Sequence, residues 1–390
     1  MIPTFRVVSK VQILAETVDY NHQLMNVPAM WRDTKGSPVK VAILDTGCVE
    51  NHNDLTVSGR KTFVPGYEFD GNGHGTHCAG IVAAIAKNNM GVAGIAPECE
   101  DFHGTVLDKD GSGSIPTIVE GIMWAVDDIG AHIISMSLGI PDGYANFKEL
   151  EDACIYAREQ GVAVICAAGN ENSGVGQPAC YDSTIAVAAV DSQRERAWFS
   201  NQGKEIDFAA GGVEVYSTYL NNGYAKLSGT SMACPALVGV AALILADEVK
   251  DHDKWMTPDE LVEKMKRICF DPGAEGFDKS YGHGIPMFRS GNGEPDEPET
   301  GEPPPGPTPE PDPPSGKKSA FPCGLTWKLM AQFADGADKA ARAGADPDGA
   351  ILAGFQTIGE FAKKASEKMG EGNAQESADG RKDIRELDVG

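Results

Sequence analysis

Short, almost uninterrupted apolar runs alternate with helix-like stretches over the first 290 residues, and this alternation restricts the fold more than any other feature. Pro38–Leu44, Ala131–Met136, Gly161–Cys166 and Thr184–Val190 read as strands buried on both faces. Helical patterns over Thr117–Asp128 and Glu149–Glu159 lie between them, and Thr257-Pro-Asp-Glu260 is a capping box opening a helix through Met265. Strands without polar alternation, separated by helices, indicate a mostly parallel sheet covered on both faces, an α/β fold of three layers.

One boundary is plain. Of the 26 residues from Gly291 to Gly316, 10 are Pro, 7 are Asp or Glu and none is Lys or Arg. Such a segment favours extended polyproline conformation and repels itself, so it reads as a spacer. The chain thus divides into an N-terminal extension over 1–20, a large domain over 21–290, the linker over 291–316, a helical region over 317–370 and a tail over 371–390 expected to be disordered. Two amphipathic patterns fill the helical region. One runs from Leu325 to Arg342 with Trp327, Met330 and Phe333; the other follows Asp346-Pro-Asp348 and carries Ile351, Phe355 and Ile358. Two short helices bury little alone, so a partner is expected for them, unidentified from sequence, and a second copy of the chain is one option.

With 57 acidic against 33 basic side chains the net charge is −24, which disfavours nucleic acid and anionic membrane as partners. No apolar run is expected to reach membrane-spanning length, and the N-terminus lacks the layout of a secretory signal. The 9 Cys form no metal-type CxxC pairs and their number is odd, so they read as free thiols of a reducing, cytoplasmic compartment.

Three segments place a reactive polar residue at the end of an apolar element. Asp45 closes Val41–Asp45, His74 stands among glycines in Asn72–Gly80, and Ser231 opens the apolar helix that runs through Ala246. Together they meet the needs of nucleophilic acyl transfer: a hydroxyl, a base titrating near neutrality, and a carboxylate that orients the base. Gly229-Thr-Ser-Met-Ala233 does not fit the Gly-x-Ser-x-Gly elbow of esterases and lipases.

On Asp45-Thr-Gly47, His74-Gly-Thr-His77 and Gly229-Thr-Ser-Met-Ala233, in that order, the chain resembles the subtilisin-like serine proteases across residues 25–290, nearest the intracellular subtilisins. The resemblance implies a serine endopeptidase with Asp45 as orienting acid, His74 as general base and acid, and Ser231 as nucleophile. It makes Asn170, in Ala167-Ala-Gly-Asn170, an oxyanion-hole donor. It assigns Ser137, Leu138, Gly139, Ala168 and Gly169, with Gly176 beside them, to a roomy specificity pocket for large apolar residues before the cut. Gly111, Ser112 and Gly113 are implied to pair with extended substrate backbone. It implies calcium held by Asp54, Asn88 and the carbonyls of Ile85, Met90 and Val92. His77 is a structural histidine on this reading, and Cys48 and Cys78 are expected close to the triad. Only 44 residues precede Asp45, too few for a folding propeptide. Ile2-Pro-Thr-Phe5 and Arg6-Val-Val8 resemble instead the short inhibitory extension of intracellular subtilisins, in which Pro3 removes a donor and fixes φ.

Overall fold

Runs of Val, Ile and Ala without polar alternation need cover on both faces, and the chain supplies it with helices. The computed structural model describes residues 6–11, 16–252 and 254–289. In chain order, β1 (Arg6–Val11) precedes the short helices α1 (Tyr20–Leu24) and α2 (Val27–Met30). Then come β2 (Lys40–Asp45), β3 (Gly59–Thr62), α3 (His74–Ala83), β4 (Glu100–Thr105) and α4 (Ile115–Trp124). A π-helical turn over Ala125–Ile129 leads to β5 (Ile133–Met136), α5 (Lys148–Glu159), β6 (Ala163–Ala167), β7 (Ile185–Val190) and β8 (Ile206–Gly211). The hairpin β9 (Val215–Tyr219) and β10 (Gly223–Ser228) is followed by α6 (Thr230–His252), α7 (Pro258–Arg267), β11 (Cys269–Phe270) and β12 (Ile285–Pro286). Ile2–Phe5, the linker 291–316 and the expected tail helices lie outside the described residues.

Seven strands form one sheet in the order β3-β4-β2-β5-β6-β7-β8, and every neighbouring pair is parallel. Strands β6 and β7 are buried at every position, as expected of a sheet with helices on both faces. α3 packs on α6, which spans β5 to β8, while α4 packs on α5 and α5 on β6, completing three α/β layers. From β2 the chain runs to the edge at β3, returns to β4, and then crosses to β5. That reversal makes β2 the switch point, where a crevice opens at strand carboxyl ends. A separate antiparallel sheet has the order β1-β10-β9.

One expectation is corrected here. Thr230–Lys250 of α6 is 21 residues long and apolar enough, by length and composition, to cross a membrane. Its apolar character has another cause: most of it is buried at the centre of the fold, against four strands and α3.

Candidate active site

Asp45 is the last residue of β2, and its carboxylate is fully buried. Its Oδ1 accepts from the Thr46 N–H at 2.7 Å, and His74 Nδ1 lies 2.8 and 2.9 Å from Oδ1 and Oδ2. His74 opens α3, and the turn before it is set by a residue that sequence reading missed, Asp70. Asp70 Oδ1 accepts from the N–H groups of Asn72 and Gly73 and from Thr46 Oγ1; its Oδ2 accepts from Thr76 N and Oγ1. A carboxylate at a helix N-terminus satisfies orphan N–H groups and suits the helix dipole. The approach of α3 to the end of β2 is close enough that a Cβ on Gly75 would lie 2.1 Å from the Gly47 carbonyl oxygen.

Ser231 is the second residue of α6 and is also fully buried. Four residues on stands Pro235, which has no N–H to return to the Ser231 carbonyl. That oxygen is taken instead by Ser137 Oγ at 2.8 Å and Cys78 Sγ at 3.5 Å. The Ser231 hydroxyl in turn donates to the Ser137 carbonyl at 3.3 Å. Cys78 Sγ also lies 3.9 Å from Asp45 Oδ2 and 4.0 Å from His74 Nδ1, so one thiol touches all three residues that the motifs single out. Burial, reinforced by Asp45, pushes that thiol well above its usual pKa. It is therefore held as the neutral thiol at neutral pH. Cys48, three residues after Asp45, is buried among Asp101, Arg60 and Asp70, with its own pKa pushed to about 12 by burial. His77 is structural as expected. Burial lowers its pKa to about 3, and its neutral ring bonds the carbonyls of Val215 and Ala225, fastening α3 to the β9–β10 hairpin.

Asn170 follows the end of β6. Its Oδ1 accepts from both the N–H and the hydroxyl of Thr230, at 2.8 and 2.9 Å, and Gly169 N–H donates to the same hydroxyl at 3.1 Å. The amide nitrogen is thereby directed towards Gly229: a Cβ built there would lie 3.3 Å from Asn170 Nδ2 and 3.6 Å from Ser231 N. Two N–H donors flank one point beside the Ser231 main chain.

The segments expected to line the specificity pocket are tied together as well. Ile140 and Gln177 exchange backbone hydrogen bonds of 2.8 and 2.9 Å, and Gly176 N–H donates to the Ala168 carbonyl. These bonds bring Ser137–Gly139, Ala168–Gly169 and Gly176 around one place, with Leu138 buried behind. Gly111–Gly113 lie in a turn closed by Asp108, whose carboxylate and N–H bond Ser112. The segment leading there departs from Asp45 itself, whose carbonyl accepts from Val106 and Leu107 N–H.

Asp54, Asn88, Val92 and Ile85 form a second cluster. Asp54 Oδ1 meets Asn88 Nδ2 at 2.5 Å, its Oδ2 accepts from Val92 N–H at 2.9 Å and Tyr224 OH at 3.2 Å, and its carbonyl accepts from Ile85 N–H. Met90 N–H donates to Asn88 Oδ1. Glu16, missed in the sequence, brings a second carboxylate onto the same loop through the N–H groups of Asn88 and Asn89. Two carboxylates and a side-chain amide on one loop offer the oxygen donors that suit a hard cation such as calcium. Burial raises the Asp54 pKa, against the opposing pull of the hydrogen bonds from Val92, Asn88 and Tyr224.

Residues 36–284 match the Subtilase family. Subtilisin DY of Bacillus licheniformis is 47% identical over 240 residues, covering 60% of this chain and 86% of the relative. The thermostable alkaline protease of Halalkalibacterium halodurans is 44% identical over 277 residues, 70% of this chain and 73% of the relative. Thermitase of Thermoactinomyces vulgaris is 43% identical over 234 residues, covering 58% and 81%. With its parallel sheet, its buried Asp45–His74 pair and the family match over residues 36–284, this chain belongs to the subtilase family of serine endopeptidases.

Proposed function

We propose that Ser231, His74, Asp45 and Asn170 carry out peptide hydrolysis through an acyl-enzyme, on broad substrates with large apolar residues before the cut. The observation supporting this reading is the meeting of the Asp45–His74 pair and the Ser231 main chain on one buried thiol, beside the Asn170 amide. In the reaction His74 Nε2 takes the Ser231 Oγ proton as Oγ bonds the substrate carbonyl carbon. Asp45 holds Nδ1–H and stabilises the imidazolium. Ser231 N–H and Asn170 Nδ2–H bind the oxyanion. The leaving amine then takes the proton from His74, and a water activated by the same ring releases the acid. The glycines and alanines of Ala168–Gly169 and Gly176 support a wide pocket. A peptide panel varied at the residue before the cut is expected to give the highest kcat/KM with Leu, Met and Phe; cleavage confined to Arg or Lys overturns the preference.

The same reading includes latency. Ser231 and His74 have no exposed surface, so a substrate carbonyl reaches them only after something moves. β1 pairs antiparallel with β10 and sets Arg6 opposite Ser228, three residues before Ser231, with a register shift between Val7 and Ser9. Ile2–Phe5 directly precede Arg6. Residues 1–20 contain the inhibitory arm on this reading, and cleavage within that region, ahead of Glu16, releases the enzyme. The full-length chain is expected to show a lag that a chain lacking residues 1–15 does not; equal initial rates for the two overturn it.

Calcium on the Asp54 cluster, with Glu16, Asn88 and the carbonyls of Ile85, Met90 and Val92 as further ligands, stabilises the fold. A hundredfold excess over the dissociation constant stabilises by about 2.7 kcal/mol. For a domain of this size that corresponds to a Tm shift of about 5–10 °C on chelation. A carboxyl with a raised pKa destabilises the metal-free fold once ionised and ceases to do so as pH falls through that pKa. The chelation shift is therefore expected to be large at neutral pH and small in acid, and absent in Asp54→Asn. A Tm indifferent to chelator at pH 7 overturns the assignment. All eight cysteines among the described residues are free thiols, which supports a reducing, intracellular compartment, readable by cell fractionation.

A further inference from the structure

The loop that carries Asn170 is short, glycine-bearing and without regular structure, yet its amide has to stand within a few tenths of an ångström of a developing oxyanion. Thr230 holds one end of the Asn170 side chain; the backbone of the loop needs its own support. That support comes from Asn201, a fully buried residue thirty-one positions further along the chain.

Asn201 makes five hydrogen bonds to the loop. Its N–H donates to the Gly169 carbonyl at 3.0 Å, and its Nδ2 donates to the Ala168 carbonyl at 3.1 Å and to Glu171 Oε2 at 2.8 Å. Its Oδ1 accepts from Glu171 N–H at 2.9 Å and Ser173 N–H at 3.0 Å. Glu171 Oε2, fixed in this way, also accepts from the Asn170 N–H at 2.9 Å. The main chain on both sides of Asn170 is thus bound to one side chain, directly or through Glu171. The contact also explains a glycine: Gly169 has φ +109°, and a Cβ there would lie 2.3 Å from Asn201 Nδ2. Asn201 itself stands on firm ground, because Ala189 N–H of β7 donates to the neighbouring Ser200 hydroxyl and Ala197 N–H to the Ala189 carbonyl.

We propose that Asn201 is the positioning residue of the oxyanion site, acting through Asn170 and not on substrate. The inference rests on the role given to Asn170 above. Because the oxyanion exists only after attack, loss of Asn201 reduces kcat and leaves KM nearly unchanged. Loss of a purely structural residue reduces the fraction of folded enzyme instead, and leaves the rate per active site alone.

The test measures kcat and KM of the matured enzyme, per titrated active site, for Asn201→Ala and Asn170→Ala singly and together. Asn201→Ser is the second variant should the alanine chain not fold. Asn201→Ala is expected to lower kcat about 10- to 100-fold, the scale of a small misplacement of a catalytic group, with KM within twofold. In the Asn170→Ala background the same change is expected to cost less than twofold. If the full loss persists in that background, or if kcat per active site is unchanged by Asn201→Ala, the inference is overturned. If Asn170→Ala leaves kcat intact, the reading of Asn170 fails, and with it the basis of the inference; the two failures are therefore distinguishable.

Discussion

Replacing Ser231 by Ala is expected to lower kcat about 10⁶-fold, a magnitude taken from the corresponding change in a subtilisin. Only the attacking oxygen is lost. The start of the helix is held by Ser137 and Cys78 through bonds to the Ser231 carbonyl that alanine retains. KM should accordingly stay within a fewfold of the starting value. Residues that act as one unit do not lose activity twice, so adding His74→Ala to Ser231→Ala should cost almost nothing further. Initial rates on a chromogenic peptide read both outcomes. A Ser231→Ala enzyme keeping more than about one-hundredth of its rate would place the nucleophile elsewhere.

Asp45→Asn is expected to lower kcat about 10⁴-fold at neutral pH, as the same change does in an unrelated triad. The reason lies in donors and acceptors. Asp45 Oδ1 already accepts from Thr46 N–H, so the amide oxygen of an asparagine takes that place and the NH₂ takes the place of Oδ2, 2.9 Å from His74 Nδ1. When Nδ1 accepts from that NH₂ the ring proton sits on Nε2, and His74 in that tautomer cannot take a proton from Ser231. Heat stability should change little, since the replacement is isosteric. A pH–rate profile checks the result: loss concentrated around neutrality supports a tautomer effect, and a rate within tenfold of the parent enzyme overturns it.

Much of this was legible in advance, for a physical reason. β2, β5, β6 and β7 announce themselves because a strand covered on both faces has apolar side chains throughout. β4 does not, since it reads Glu-Asp-Phe-His-Gly-Thr. It is buried nonetheless because Asp101 and His103, two residues apart and so on one face, bond each other at 2.9 Å. The hairpin β9–β10 is hidden by its hydroxyls, two of which are spent on α3: Ser217 and Thr218 donate to the carbonyls of His77 and Thr76. The helix expected from Thr117 begins two residues earlier, where Ser114 and Thr117 cap it reciprocally. In the site, the reactive residues sit in compact motifs and so could be read. Asp70, Glu16 and Asn201 could not, because each acts by hydrogen bonds to backbone that only the tertiary fold brings near.

On the proposed release by trimming, the β1–β10 pairing has a consequence for the freed enzyme. With β1 gone, β10 turns from an inner strand into an outer one, and the N–H and C=O groups that had faced β1 between Tyr224 and Ser228 lose their ladder. A bare strand margin recruits whatever extended chain drifts past. Trimming of the proposed kind would therefore create a sticky rail that ends three residues short of Ser231, and the released enzyme should self-associate or capture unfolded polypeptide more readily than the full-length chain.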